Sequence, residues 1–211
     1  PGAVDPMVRA LILLVMSIAS AQVSAAQQGF QSPQPGTMIT WKYEFGDQTY
    51  IRLNEVVISG EDFIIYDPDI QRSSGEAADY IVEFSGVHSQ SCDHPLPGDE
   101  DRAALSAIWP LIPGASASVR TGVKSAYSVA EPVKVELISN IEGAGDALSV
   151  QTAYGEAEMT LAVSPVLGMP VQVVWASGDK GQVLEVIEPQ GGLSPTDMAG
   201  QDLGYCSELL E

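Results

Sequence analysis

Met38-Ile39-Thr40-Trp41-Lys42-Tyr43-Glu44-Phe45-Gly46-Asp47-Gln48-Thr49-Tyr50-Ile51-Arg52-Leu53-Asn54-Glu55-Val56-Val57 is the passage on which the fold turns. Ile39, Trp41, Tyr43 and Phe45 alternate with Met38, Thr40, Lys42 and Glu44, the two-residue period of a half-buried strand. Gly46-Asp47 supplies the chemistry of a tight turn. Thr49, Ile51, Leu53, Glu55 and Val57 then take up a second strand of the same period. Ser59-Gly60-Glu61-Asp62 turns the chain again, into Phe63-Ile64-Ile65-Tyr66. Three strands joined by short polar turns predict an antiparallel meander.

The same signal recurs downstream. Tyr80-Ile81-Val82-Glu83-Phe84 reads as a strand, as do the alternations of Val133-Val135-Leu137, Leu148-Val150 and Met159-Leu161-Val163. Val171-Val173-Trp175 pairs with Val183 to Ile187 across the turn Ser177-Gly178-Asp179-Lys180-Gly181. About nine strands at regular spacing predict a mainly β fold, a strongly curved antiparallel sheet or open barrel. One helix is expected, over Asp99 to Trp109: its acids lie in the first turn, where the helix dipole favours them, and Pro110 and Pro113 end it. This helix is expected to cover the open sheet.

Upstream, Met7-Val8-Arg9 precedes the apolar run Ala10 to Ala19, and small residues follow through Ala26. A basic flank, a short apolar core and an A-x-A-like site make a secretory signal peptide, and the run is too short to span a membrane. The expected organisation is therefore residues 1–26 as upstream residues and signal peptide, 27–36 as a flexible arm, and 37–211 as one β-rich domain. The expected location is periplasmic or secreted, with no membrane span after cleavage.

With 28 acids against 9 bases the net charge is -19, and removing residues 1–26 takes away Asp5 and Arg9 and leaves it unchanged. No basic stripe exists to neutralise phosphates, which argues against nucleic acid and against anionic lipid surfaces. Hydrophobic residues at 45% are too many for a disordered acidic chain. Cys92 and Cys206 are the two cysteines, and in an oxidising compartment an even count favours a disulfide. Their separation excludes a CxxC redox pair and makes them a structural staple.

Few residues offer chemistry. His88, Cys92, Asp93 and His94 are the densest set of potential ligands, but a disulfide consumes Cys92 and the spacing matches no zinc pattern. Two exposed loop histidines beside a staple are the plainer reading. Asp67-Pro68-Asp69 and Asp99-Glu100-Asp101 lack a calcium loop's central Gly and terminal Glu. No nucleophile elbow, H-E-x-x-H or phosphate-cradling Gly loop is present. No catalytic residue, metal or cofactor is expected. Trp41, Tyr43, Phe45, Tyr50 and Trp175 admit two assignments, packed core or the lining of an apolar pocket inside a cupped sheet.

Three segments carry a resemblance. They are Gly36-Thr37-Met38-Ile39-Thr40, then Trp109-Pro110-Leu111-Ile112-Pro113-Gly114 leading into Ser116-Ala117-Ser118-Val119, and Ser164-Pro165-Val166-Leu167-Gly168-Met169-Pro170-Val171. Together, over residues 36–188, they resemble a group of uncharacterised exported proteobacterial proteins, similar in architecture to periplasmic lipoprotein carriers. The resemblance implies a curved antiparallel sheet with Trp109-Pro110 at its mouth, and it implies no catalytic residues. A V-P-A-G-x-[FY] turn of that group is replaced here by Glu142-Gly143-Ala144-Gly145-Asp146.

Three functions follow in order of support. The first is a non-enzymatic periplasmic module that binds or carries an apolar small molecule or lipid, such as an acyl chain, in the concave face of the sheet. The second is an envelope assembly protein whose partner protein meets a strand edge or the N-terminal arm. The third is a hydrolytic enzyme, for which His88, Asp93 and His94 are the nameable group.

Overall fold

The computed structural model describes residues 29–70, 79–120, 124–154, 157–189 and 201–211. The expected signal peptide and the start of the expected arm, residues 1–28, lie outside the described residues, as does the tail over 190–200.

The decisive passage forms a hairpin of β1 (Met38–Phe45) and β2 (Gln48–Ser59), with Phe45 opposite Gln48 across Gly46-Asp47. β3 (Phe63–Asp67), β4 (Ile81–Phe84) and β5 (His88–Ser91) continue the meander outward from β2. The second half comprises β6 (Ser116–Val119), β7 (Ser125–Lys134), β8 (Ile138–Ser139), β9 (Asp146–Tyr154), β10 (Ala157–Ser164), β11 (Met169–Trp175) and β12 (Lys180–Ile187). All belong to one curled sheet of order β5-β4-β3-β2-β1-β12-β11-β10-β9-β7-β6, with β8 beside β12. Each half is a meander of neighbours, and the antiparallel pairing of β1 with β12 joins the halves. Every pairing is antiparallel except the short β8–β12 contact.

The sheet thus has twelve strands among the described residues, more than the nine expected. The excess lies in β5, β6 and β8, which read His-Ser-Gln-Ser, Ser-Ala-Ser-Val and Ile-Ser. Such short polar segments carry no apolar period, and backbone pairing to their neighbours makes them strands. The strand expected around Val133 to Leu137 is displaced: β7 ends at Lys134, after a register shift between Val129 and Pro132. Proline cannot donate to the ladder and falls at such irregularities. In β2 the phase also differs from the apolar alternation. Tyr50, Arg52 and Asn54 stand opposite Tyr43, Trp41 and Ile39 and share their face, while Ile51 is 55% exposed on the other. Pairing with the aromatic strand fixes the register, and a one-residue choice sends every side chain of β2 to its face.

β5 and β6 form the two ends of the sheet, and α1 (Asp99–Ser106) packs against both β4 and β6. Leu105 and, just beyond the helix, Ile108 are fully buried in the core with Ile39, Val56, Phe84 and Val163. The acids of the first helical turn do more than answer the dipole. Buried Asp101 accepts the Arg120 amide at 3.0 Å, and Arg102 holds Asp62 through two bonds of 2.7 and 2.9 Å. These contacts tie one helix to both halves of the sheet.

Residues 29–36, the described part of the segment expected as a flexible arm, make contacts with the body. Phe30 meets Trp109 edge-on at 5.6 Å, Ser32 donates to the Gly60 carbonyl at 3.1 Å, and Ser59 donates to Pro33. Gly168, at φ 62°, makes this possible: a Cβ there would meet the Gln31 carbonyl and lie 3.1 Å from the Phe30 ring. Gly168→Ala is therefore expected to lower the unfolding free energy by at least about 2 kcal/mol, from the left-handed backbone and the lost contact together. Urea titration measures it; a loss within error would mean that the 29–36 segment adapts.

Cys92 and Cys206 form a disulfide, Sγ–Sγ 2.06 Å, that anchors the terminal 3-10 helix Gly204–Leu210 to the segment after β5. The Tyr205 amide donates to the Cys92 carbonyl at 2.8 Å beside it.

Candidate ligand cavity

The concave face is shaped by an aromatic ladder along β1. Side chains two residues apart on a strand share a face, so Trp41 stacks on Tyr43 at 5.5 Å and Tyr43 on Phe45 at 6.0 Å. Trp175, at the end of β11, closes on Phe45 at 5.2 Å. Gly181 of β12 stands opposite Tyr43, and a Cβ there would come within 2.7 Å of the phenol ring. The bare backbone gives the ring its place.

Behind Tyr43 and Trp175 lies a cavity of about 360 Å³. Its walls are mainly apolar: Trp41, Val87, Met159, Leu161, Val173 and Trp175. The polar part consists of Tyr66 on β3, Glu83 on β4, Ser89 on β5, Tyr127 on β7 and Thr152 on β9, together with the Tyr43 hydroxyl. Both halves of the sheet therefore supply the lining. A second groove of about 260 Å³ shares Tyr43 and Trp175 with the cavity and is completed by Phe45, Tyr50 and Arg52.

Glu83 dominates the electrostatics. It is 3% exposed, and burial pushes its carboxyl up to about 8, opposed by the hydrogen bond that Ser89 Oγ donates to Glu83 Oε2 at 2.8 Å. Burial also pushes the Tyr43 phenol up to about 12, against the nearby Arg52 guanidinium. Tyr66 is held well above the ordinary phenol range by burial and by Glu83. Burial thus favours the neutral forms of these groups, in an apolar chamber with its polar groups on one wall.

The expected pocket residues divide. Trp41, Tyr43 and Trp175 line the cavity. Phe45 and Tyr50, 40% and 46% exposed, belong to the outer groove. Trp109 lines neither: its Nε1 donates to the Ser85 carbonyl at 2.8 Å and its ring supports Phe30, so it is a packing residue at the end of α1. The expectation of two exposed histidines fails for His88. It is buried in β5, with Nδ1 2.7 Å from the Tyr127 hydroxyl and Nε2 3.2 Å from Gln90 Oε1. Burial lowers its pKa. Asp93 and His94 are exposed in the following turn, and among the described residues no group of three His, Cys, Asp or Glu is placed to hold a metal. Of the residues missed, Glu83 had a signal, an acid inside the apolar run Tyr80 to Phe84. Tyr127 and Thr152 had none, since their strands are brought to this face by the curl of the sheet.

No family model and no curated protein sequence matches the chain. Among solved structures, the chain is similar to the hypothetical lipoprotein YmcC from Escherichia coli (K12), at 11% identity and a TM-score of 0.39, over 82% of this chain and 97% of that one.

Proposed function

We propose that this protein is a non-enzymatic binding module of an oxidising compartment, the periplasm or the exterior, which holds a small apolar ligand such as an acyl chain in the hollow of its curved sheet. The observation that carries the reading is the 360 Å³ cavity, walled by Trp41, Met159, Leu161, Val173 and Trp175 and within the size range of small-molecule sites. Each methylene moved from water into such a chamber contributes about 0.8 kcal/mol, so a short chain suffices for measurable affinity. The compartment is argued from the Cys92–Cys206 bond, since structural disulfides persist in exported proteins, and from the signal-like segment Met7 to Ala26. Among the described residues no helix is long and apolar enough to cross a membrane. An assembly role through the N-terminal segment is less supported, because residues 29–36 are already engaged by the body.

Titration with a neutral apolar dye such as N-phenylnaphthylamine, read through Trp41 and Trp175 fluorescence, tests the reading. Saturable uptake is expected in the wild type. Val173→Phe, which puts a ring into the chamber, is expected to abolish uptake at a stability cost of about 1–3 kcal/mol or less. Absence of saturable uptake by the wild type, or uptake unchanged in Val173→Phe, would overturn it.

A further inference from the structure

Glu83 is costly where it stands. Oε2 has the Ser89 hydroxyl, but Oε1 is buried and has no hydrogen-bond partner among the described residues. Its neighbours along β4, Val82 and Phe84, are both fully buried, so the strand keeps an acid at a place where an apolar residue would pack. A shielded oxygen with no partner is destabilising, and more so when it is charged. Among the described residues no basic side chain lines the chamber to offset it. Arg52, on the same face of the sheet as Tyr43 but in the outer groove, is exposed and sits over the Tyr43 ring, 5.9 Å from its centroid. Five aromatic side chains, Trp41, Tyr43, Tyr66, Tyr127 and Trp175, surround the same space.

A buried acid without a countercharge, in an aromatic chamber, is the chemistry that takes an organic cation: the acid receives an N–H and the ring faces attract the charge. We propose that the cavity is selective for a protonated amine bearing an apolar body, with Glu83 Oε1 as the acceptor of its N–H. The inference rests on the cavity being a ligand site and specifies the end group of that ligand. An alcohol would offer Oε1 a donor but no countercharge, and a carboxylic acid would set a second acid against the first. The net charge of -19 draws cations toward the protein and repels acids.

Binding is written as a proton exchange. The amine arrives as ammonium, Glu83 gives its proton to solvent, and the bound state is a carboxylate–ammonium pair. The charged and titratable groups that face Glu83 are Tyr43 on β1, Arg52 on β2 beyond it, Tyr66 on β3 and Tyr127 on β7, with His88 of β5 bonded to Tyr127. Tyr43 and Tyr66 are held protonated by burial, which leaves Glu83 to make the exchange.

The experiment is calorimetric titration of the full exported chain with octylamine, octanol and octanoate at pH 7, repeated in buffers of different ionisation enthalpy. Octylamine is expected to bind roughly tenfold to a hundredfold more tightly than octanol, with about one proton released per molecule bound, and octanoate most weakly. Glu83→Gln is expected to bring octylamine down to the octanol affinity and to remove the proton release. Octanol or octanoate binding as tightly as octylamine, or octylamine binding without proton release, would overturn the proposal while leaving the apolar cavity reading intact. Failure of all three probes and of the neutral dye would overturn both. The wild-type selectivity and proton count decide the matter even if the variant does not fold.

Discussion

Replacing Cys92 and Cys206 by serine should lower the unfolding free energy by about 4–5 kcal/mol, the loop-closure entropy returned to the unfolded chain when a long crosslink is removed. The bridge spans 114 residues, and the closed loop contains α1 and β6 through β12. Both sulfurs are buried, and so is Leu203 ahead of the 3-10 helix, so release should also let the terminal segment leave the body and expose apolar surface there. Typical domains are stable by 5–15 kcal/mol, so the reduced protein should be marginal at growth temperature. Urea unfolding of the oxidised, reduced and double-serine proteins measures the effect. Near-coincident transitions would show that the crosslink closes a loop already ordered in the unfolded ensemble.

Glu83 should set the alkaline side of the stability profile. Its carboxyl titrates near 4.5 in the unfolded chain and at about 8 in the folded one. Between these values the folded state holds a proton that the unfolded state has lost, so stability falls as pH rises through the window. The contribution is nil below about pH 4.5 and complete above about pH 8, on the order of 4 kcal/mol if the burial of the acid is preserved. Glu83→Gln should therefore be more stable than the wild type at pH 8.5 by a few kcal/mol, with the difference shrinking toward zero at pH 4.5. Glu44 and Asp179 work in the opposite sense. Lys42 and Lys180 lower Glu44, and Ser177 and the Gly46 amide lower Asp179, so their contributions are lost on acidification. Both lie partly exposed at the surface, where solvent screens them, which leaves Glu83 dominant. Urea midpoints of both proteins across this range are the measurement, and parallel profiles would sink the assignment. The same group links stability to ligand: an ammonium that pairs with the carboxylate should recover at pH 8 part of what its ionisation costs.

The paired strands around Gly46 were legible because alternation and turn chemistry agree there, and local and tertiary preferences then point the same way. The hairpin across Ser177 to Asp179 was legible for the same reason. The structure further joins the two tips, with the Gly46 amide donating to Asp179 Oδ1 at 2.9 Å. β2 shows where such reading stops. Ile51 and Leu53 advertise an inward face, yet cross-strand pairing with Trp41 and Tyr43 puts Arg52 and Tyr50 on the aromatic face instead. Hydrophobic period reports that one face differs from the other, and in a strand lying near the mouth of a curved sheet both faces carry mixed side chains. For Trp109, which the family resemblance places at the mouth of the sheet, nothing local reveals that its indole N–H donates to the Ser85 carbonyl.

Residue order alone determined that the chain is mainly β, that it turns at Gly46-Asp47 and at Ser177 to Gly181, that a helix begins with Asp99-Glu100-Asp101, and that two cysteines were available to each other. These depend on interactions within a few residues, or on simple counting. The chamber is a product of tertiary structure alone. Its lining comes from eight strands, β1, β3, β4, β5, β7, β9, β10 and β11, together with Val87, and its decisive acid is one of many in an acidic chain. What distinguishes Glu83 is that the curl of the sheet removes water from it at the cavity wall and leaves Oε1 without a partner, and desolvation is a property of the assembled neighbours that no single segment encodes.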